Sequence, residues 1–149
     1  MRVVLDANVL ISFLLSKSNP NPANQIIASA VSGRFTLLVN DQLLHELASR
    51  VAKKPYLAQR IRAGALARFL ALLDEIAETV DLPGTAHPSI VRDPDDDYLI
   101  ALAVAGRADI LVTGDHDLLV IADLTPFRIL SLRAFANLLA ETDVNGTER

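Results

Sequence analysis

The sequence predicts an α/β fold in which a parallel sheet is covered by helices on both faces. Three observations carry this reading. Short β-rich runs, Arg2 to Leu5, Phe35 to Val39, Ile110 to Thr113 and Phe127 to Leu130, alternate with stretches of helical spacing. Such alternation calls for parallel strands joined by right-handed crossovers. The first run is unbroken and apolar until Asp6, as a strand buried on both sides should be. At 149 residues the chain suits one domain around one core.

Taken in order, the first strand gives way to a helix from about Ala7. Lys17 to Pro22 holds two prolines and two asparagines in six residues and reads as a loop. Helical spacing resumes from Ala23 to Ser32, and Gly33 stands where a helix C′ residue belongs. After the second strand, Asn40 or Asp41 caps a helix whose apolar stripe is Leu43, Leu44 and Leu47, with Glu46 on its flank. Leu57 to Leu73 reads as one amphipathic helix and Ile76 to Val80 as a short edge strand. Leu82 to Ser89, with two prolines and a glycine, reads as loop. Asp93 and Pro94 open a helix as cap and first residue, and Gly106 closes it. Gly114 to Asp117 is a tight loop after the third main strand. Ser131 caps a last helix reaching about Glu141, so the domain spans 1–141, followed by a polar, frayed tail over 142–149.

Composition excludes several classes. Cysteine is absent, which removes disulfide frameworks and thiolate metal sites and suits a reducing cytoplasm. Asp6 and Asn8 interrupt the apolar start before a signal-peptide core forms, and Tyr98 to Ala105 is too short to span a bilayer, so no membrane association is expected. A net charge of −4 argues at first against a nucleic-acid partner. The distribution matters more. Between Leu47 and Leu73 lie Arg50, Lys53, Lys54, Arg60, Arg62 and Arg68, with no acidic residue.

Ligands of open α/β sheets bind beyond the carboxyl ends of the strands, and Asp6 and Asp115 both stand just past such ends. A carboxylate in the position of Asp6 is costly without a cation or donors; cap and metal ligand are both open readings. Glu46 sits one turn inside the helix after the second strand. Asp93, Asp95, Asp96 and Asp97 crowd one helix start, more acids than capping needs. Adjacent helical residues point about 100° apart, so Asp96 and Asp97 do not both face one ion; Asp97, preceding buried Leu99, Ile100 and Leu102, is the better inward candidate and Asp93 the cap. Asp115 is the ligand candidate of the Gly114 loop and Asp117 its capping candidate. His116 is expected to face solvent, and His45 and His87 lack any partner pattern. Clustered carboxylates repel unless a cation sits among them, and hard oxygen donors suit Mg²⁺ or Mn²⁺. With four carboxylates neutralised by metal, the net charge of −4 falls to zero.

The stretches Val-Leu-Asp-Ala-Asn-Val-Leu from Val4, Arg-Asp-Pro-Asp-Asp-Asp-Tyr-Leu-Ile-Ala-Leu-Ala from Arg92, and Leu-Val-Thr-Gly-Asp-His-Asp-Leu-Leu from Leu111, with a mid-chain Glu between the first two, resemble a PIN domain. The resemblance is to the branch of VapC-like ribonucleases, toxin components of toxin–antitoxin systems, and covers the chain to about residue 140. It implies a three-layer α/β/α sandwich with strand order 3-2-1-4-5 and divalent-metal-dependent cleavage of single-stranded RNA. Homodimers and inhibition by a cognate antitoxin are also implied. By position, Asp6, Glu46, Asp97 and Asp115 become the acidic, metal-binding and catalytic set, Glu46 by position alone. Asp96 and Asp117 are secondary candidates, and Asn8 and Thr113 support them. His116 departs from the branch, where Lys is commoner.

No nucleophilic side chain is offered, so attack falls to a metal-activated water, leaving a 5′-phosphate and a 3′-hydroxyl. The stretch from Arg50 to Arg68, with Arg50, Lys53 and Lys54 foremost, is a candidate for holding the RNA backbone, as a continuation of the helix that bears Glu46. A solvated basic face or an antitoxin dock is an equal reading of that stretch. Two rival functions stay open. A Mg²⁺-dependent phosphohydrolase needs a second Asp where this chain has Asn8, and a non-catalytic RNA-binding module would use the acidic site structurally.

Overall fold

The computed structural model describes residues 1–16, 21–81 and 97–146, without the side chains of 97, 124 and 143–146. Five apolar or β-favouring runs form the strands β1 (Arg2–Leu5), β2 (Thr36–Val39), β3 (Glu78–Thr79), β4 (Ile110–Val112) and β5 (Arg128–Leu130). All pair in parallel in the order β3-β2-β1-β4-β5, so the strand order implied by the resemblance holds. In the register, Val4 faces Leu38 on one side and Leu111 on the other. Val3, Val4 and Leu5, Leu37 to Val39 and Ile110 to Val112 are all buried. Consecutive burial, in place of alternation, means that helices cover both faces of the sheet, and the fold is a three-layer α/β/α sandwich.

The helices are α1 (Ala7–Leu15), α2 (Pro22–Val31), α3 (Asp41–Lys53), α4 (Pro55–Arg60), α5 (Ala63–Ile76), α6 (Asp97–Ala105), α7 (His116–Leu119) and α8 (Leu132–Gly146). Their starts follow capping chemistry. Asn21 caps α2 through Ala23 N, with Pro22 as the first helical residue. Asn40, not Asp41, caps α3 through Leu43 N at 2.9 Å. Ser131 accepts from Ala134 N at the start of α8. Gly33 follows α2 at φ +80°, the left-handed C′ position that glycine adopts without strain. Gly106 ends α6 for a different reason. A Cβ there would meet Leu38 Cδ1 at 2.8 Å and the Leu102 carbonyl oxygen at 3.1 Å, so only glycine lets α6 approach β2 this closely.

Four expectations are corrected. Pro22 belongs to a helix and not to the expected loop, whose residues 17–20 lie outside the described residues, because proline's fixed φ suits the first helical position. The single helix over Leu57 to Leu73 is two, α4 and α5, broken at Ile61 and Arg62, whose extended backbone turns Ile61 into the core at 4% exposure. The basic stretch therefore does not continue the Glu46 helix beyond Lys53; Pro55 starts the next one. Gly114 to Asp117 is not all loop, since His116 already begins α7. The last helix also runs past Glu141 to Gly146. The Leu82 to Ser89 loop, His87, and the Asp93–Pro94 helix start lie outside the described residues.

At the amino edge of the sheet, Arg2 gathers three elements. Its Nε donates to the Gly106 carbonyl at 2.7 Å, its guanidinium pairs with Glu78 of β3, and its backbone N donates to Asp109 Oδ2 at 2.8 Å. The hydrogen bond from Arg2 holds the Glu78 carboxyl below the usual carboxylate range. Between the layers, Phe135 of α8 stands edge-on to Phe35, ring centroids 5.3 Å apart at 75°. Among the described residues, no helix is long and apolar enough to cross a membrane.

Candidate active site

Polar residues seldom survive burial without partners, and here they mark one edge of the sheet. Among the described residues, the buried polar side chains are Asp6, Ser29, Asn40 and Thr113. Three of them directly follow β1, β2 and β4. This is the carboxyl edge, where parallel sheets bind ligands.

Asp6 is 4% exposed. Its backbone N donates to Val112 O at 3.0 Å, carrying the β1–β4 pairing one residue further and fixing where its side chain begins. Oδ1 accepts from Asn8 N at 3.1 Å, capping α1, and Oδ2 accepts from the Thr113 hydroxyl at 2.6 Å. Thr113, fully buried, accepts in turn from Asp115 N at 3.0 Å, and Asp115 Oδ1 accepts from Asp117 N at 2.9 Å. A single run of hydrogen bonds thus joins the ends of β1 and β4. Asp115 is itself the cap of α7, the role expected of Asp117, because its side chain reaches the free N–H two residues on. Capping and metal binding do not compete here. An ionised carboxylate has about four lone-pair sites, and capping uses one.

Asp6 and Asp115 fit a divalent cation by the chemistry of their donors. Among the described residues no basic side chain forms an ion pair with either, and the Arg50 guanidinium, bonded to Glu46 and Asn8, acts on the buried Asp6 carboxylate only through space. Both present hard oxygens of the kind Mg²⁺ and Mn²⁺ take. Two donors are not a complete site, and among the described residues no three acidic or imidazole groups gather around one point. Asp97 begins α6, which packs against β1 and β2, but its side chain lies outside the described residues, as do Asp93, Asp95 and Asp96.

Glu46 lies on α3 and turns to Arg50 one helical turn on, with Arg50 Nη2 2.6 Å from Glu46 Oε1. The other guanidinium nitrogen donates to Asn8 Oδ1 at 2.7 Å. Burial works against the Arg50 charge, while Glu46 and then Asp6 more than restore it. Tyr98, 6% exposed, is pushed well above the ordinary tyrosine range, first by burial and then by Glu46 and Asp6. Its phenol stays protonated, hydrogen-bonding with Glu46 and feeling Asp6 only through its charge. Sequence reasoning missed Tyr98, whose hydroxyl is hidden in an apolar run, and read Asn40 only as a capping candidate; the four-residue spacing of Glu46 and Arg50 was a visible signal of their pairing. Lys53 and Lys54 are exposed, as are His45 and His116.

The PIN domain family matches residues 2–117, a range that holds all four candidate acids. Among solved structures, a chain from the crystal structure of VapBC2 from Rickettsia felis bound to a DNA fragment from their promoter is similar in fold. It has a TM-score of 0.53 and 18% identity, covering 87% of this chain and 97% of that one. No curated protein matches this sequence.

Proposed function

Since the chain belongs to the PIN-domain family, we propose that it is a divalent-metal-dependent endoribonuclease that cleaves single-stranded RNA as the toxin of a toxin–antitoxin pair. The observation that carries the reading is the buried Asp6 carboxylate, without a direct ion-pair partner among the described residues and tied through Thr113 to Asp115 at the carboxyl edge of the sheet. The structural relative is part of a VapBC2 assembly on promoter DNA, which supports an antitoxin as partner here; a homodimer is proposed from the family resemblance alone. Asn8, its amide held by Arg50, leaves no acid two residues after Asp6, where the phosphohydrolase reading needs one.

Asp6 and Asp115, joined by Asp97 and Glu46, would hold Mg²⁺ or Mn²⁺. The cation, when bound, supplies an acidified water and stabilises charge on the phosphate. The Thr113 hydroxyl donates to Asp6 Oδ2 and so fixes which way that carboxylate presents its remaining lone pairs. No covalent nucleophile is required of the chain. Lys53 and Lys54, exposed at the end of α3, hold phosphates of the RNA.

The test is cleavage of single-stranded RNA by purified protein with Mn²⁺. Products should carry 5′-phosphates and 3′-hydroxyls, and EDTA should stop the reaction. Asp115→Asn should lower the rate roughly 100-fold or more, as the loss of several kcal/mol of metal-borne stabilisation requires. Equal cleavage by wild type and Asp115→Asn, or hydrolysis of small phosphoesters alone, would overturn the reading. Charge reversal at Lys53 and Lys54 should raise the KM for RNA and flatten its salt dependence by about 0.7 in log–log slope per lost phosphate contact. An unchanged slope would remove the two lysines from the RNA path.

A further inference from the structure

Of the six basic residues between 50 and 68, Arg50 alone is half-buried; Lys53, Lys54, Arg60, Arg62 and Arg68 are exposed. Both terminal nitrogens of its guanidinium are also engaged within the protein. Nη2 bonds Glu46 Oε1 at 2.6 Å and Nη1 bonds Asn8 Oδ1 at 2.7 Å. The Glu46 contact is local to α3, but Asn8 belongs to α1, 42 residues away in sequence. Asn8 in turn gives its backbone N–H to Asp6 Oδ1. Hydrogen bonds therefore run from Glu46 through Arg50 and Asn8 to Asp6, and on through Thr113 to Asp115. Tyr98 of α6 faces Glu46 from a further element.

We propose that Arg50 is a positioning residue, which holds the Glu46 carboxylate and the Asn8 amide in fixed orientation beside Asp6, and that it is not a phosphate contact. The inference rests on the nuclease reading for its kinetic consequence, though not for its structural one. A planar fork with two aligned N–H donors bridges two acceptors on different helices; a lysine ammonium is a point charge without that fork. Freed from Arg50, Glu46 has an exposed path to other rotamers. The residue ordering the site is then lost without any loss of surface charge available to RNA.

The test compares Arg50→Gln, Arg50→Lys and Asn8→Ala with wild type, in cleavage and in RNA binding under EDTA. Arg50→Gln should lower kcat roughly 10- to 100-fold, the range for residues that orient ligands. Its RNA Kd and salt slope without metal should stay within about twofold of wild type, since no phosphate contact is lost. Arg50→Lys should fail to restore kcat fully. Asn8→Ala, at an exposed residue, removes one arm and should lower kcat with the same unchanged RNA binding. In a Glu46→Gln background, Arg50→Gln should cost no more than the loss of the Asn8 arm, the cost that Asn8→Ala shows alone. Weaker RNA binding with a salt slope flattened by about 0.7 and kcat preserved would make Arg50 a phosphate contact and overturn the proposal. If wild type cleaves no RNA, the nuclease reading fails alone. Thermal melts of the metal-free single and double variants then decide: coupling between Arg50 and Glu46 upholds the bridge, and strict additivity removes it.

Discussion

Asp6→Asn is expected to abolish metal-dependent cleavage while leaving the protein at least as stable as wild type. Asparagine has the same shape, and its carbonyl oxygen still accepts from Asn8 N, so the cap of α1 survives. Its NH₂ then points to the Thr113 hydroxyl, whose oxygen is already an acceptor for Asp115 N. What disappears is a buried negative charge that no basic group pairs with directly, Arg50 acting on it only through space, and such a charge is costly to hold in the metal-free fold. In the proposed nuclease, the loss of that charge would remove an anionic donor to the cation, worth several kcal/mol in the transition state and so roughly a thousandfold or more in rate. Melting in EDTA and single-turnover cleavage in Mn²⁺ measure the two sides. A variant that cleaves like wild type, or one that melts far below it, sinks this account of Asp6. The pattern of gained stability and lost activity separates a functional carboxylate from a merely capping one.

Phe135→Ala is expected to cost about 3–5 kcal/mol, a large share of the roughly 5–15 kcal/mol that a domain of this size has in hand. Phe135 is fully buried and meets Phe35 edge-on, a geometry worth about 0.5–1.5 kcal/mol beyond area burial. It fastens α8 to the segment that leads into β2, and α8 packs along α2. Arg34 reinforces the same seam by donating to the Leu139 carbonyl at 2.7 Å. Truncation leaves a cavity that α8 cannot close without releasing that bond. Urea unfolding gives the number, and a loss below about 1 kcal/mol, typical of an exposed site, would contradict the packing described.

The sheet was legible because β1, β2 and β4 are short, mostly apolar and directly followed by polar residues. Asp6 and Thr113 stand where they do for that reason, and sequence position alone placed them at one edge. Breaks in helices were less legible. Ile61 satisfies the same apolar spacing whether the backbone continues or turns, so periodicity could not separate α4 from α5. Caps were ambiguous where two suitable residues were adjacent, and Asp115 and Asn40 were settled by which side chain reaches a free N–H. The Arg50 bridge to Asn8 spans elements far apart in sequence and left no local trace beyond the Glu46 spacing. The choice between Asp96 and Asp97 rests on helix geometry, and those side chains lie outside the described residues.

The place of Tyr98 has an optical consequence. The chain contains no tryptophan and only two tyrosines, and the other, Tyr56, is 58% exposed. Its ultraviolet emission therefore comes from one phenol in water and one shut against Glu46. A neighbouring carboxylate quenches an excited phenol by taking up its proton, so any event that draws Glu46 away brightens Tyr98 alone. The unlabelled protein thus reports on its own acidic site, with iodide in the buffer to silence Tyr56.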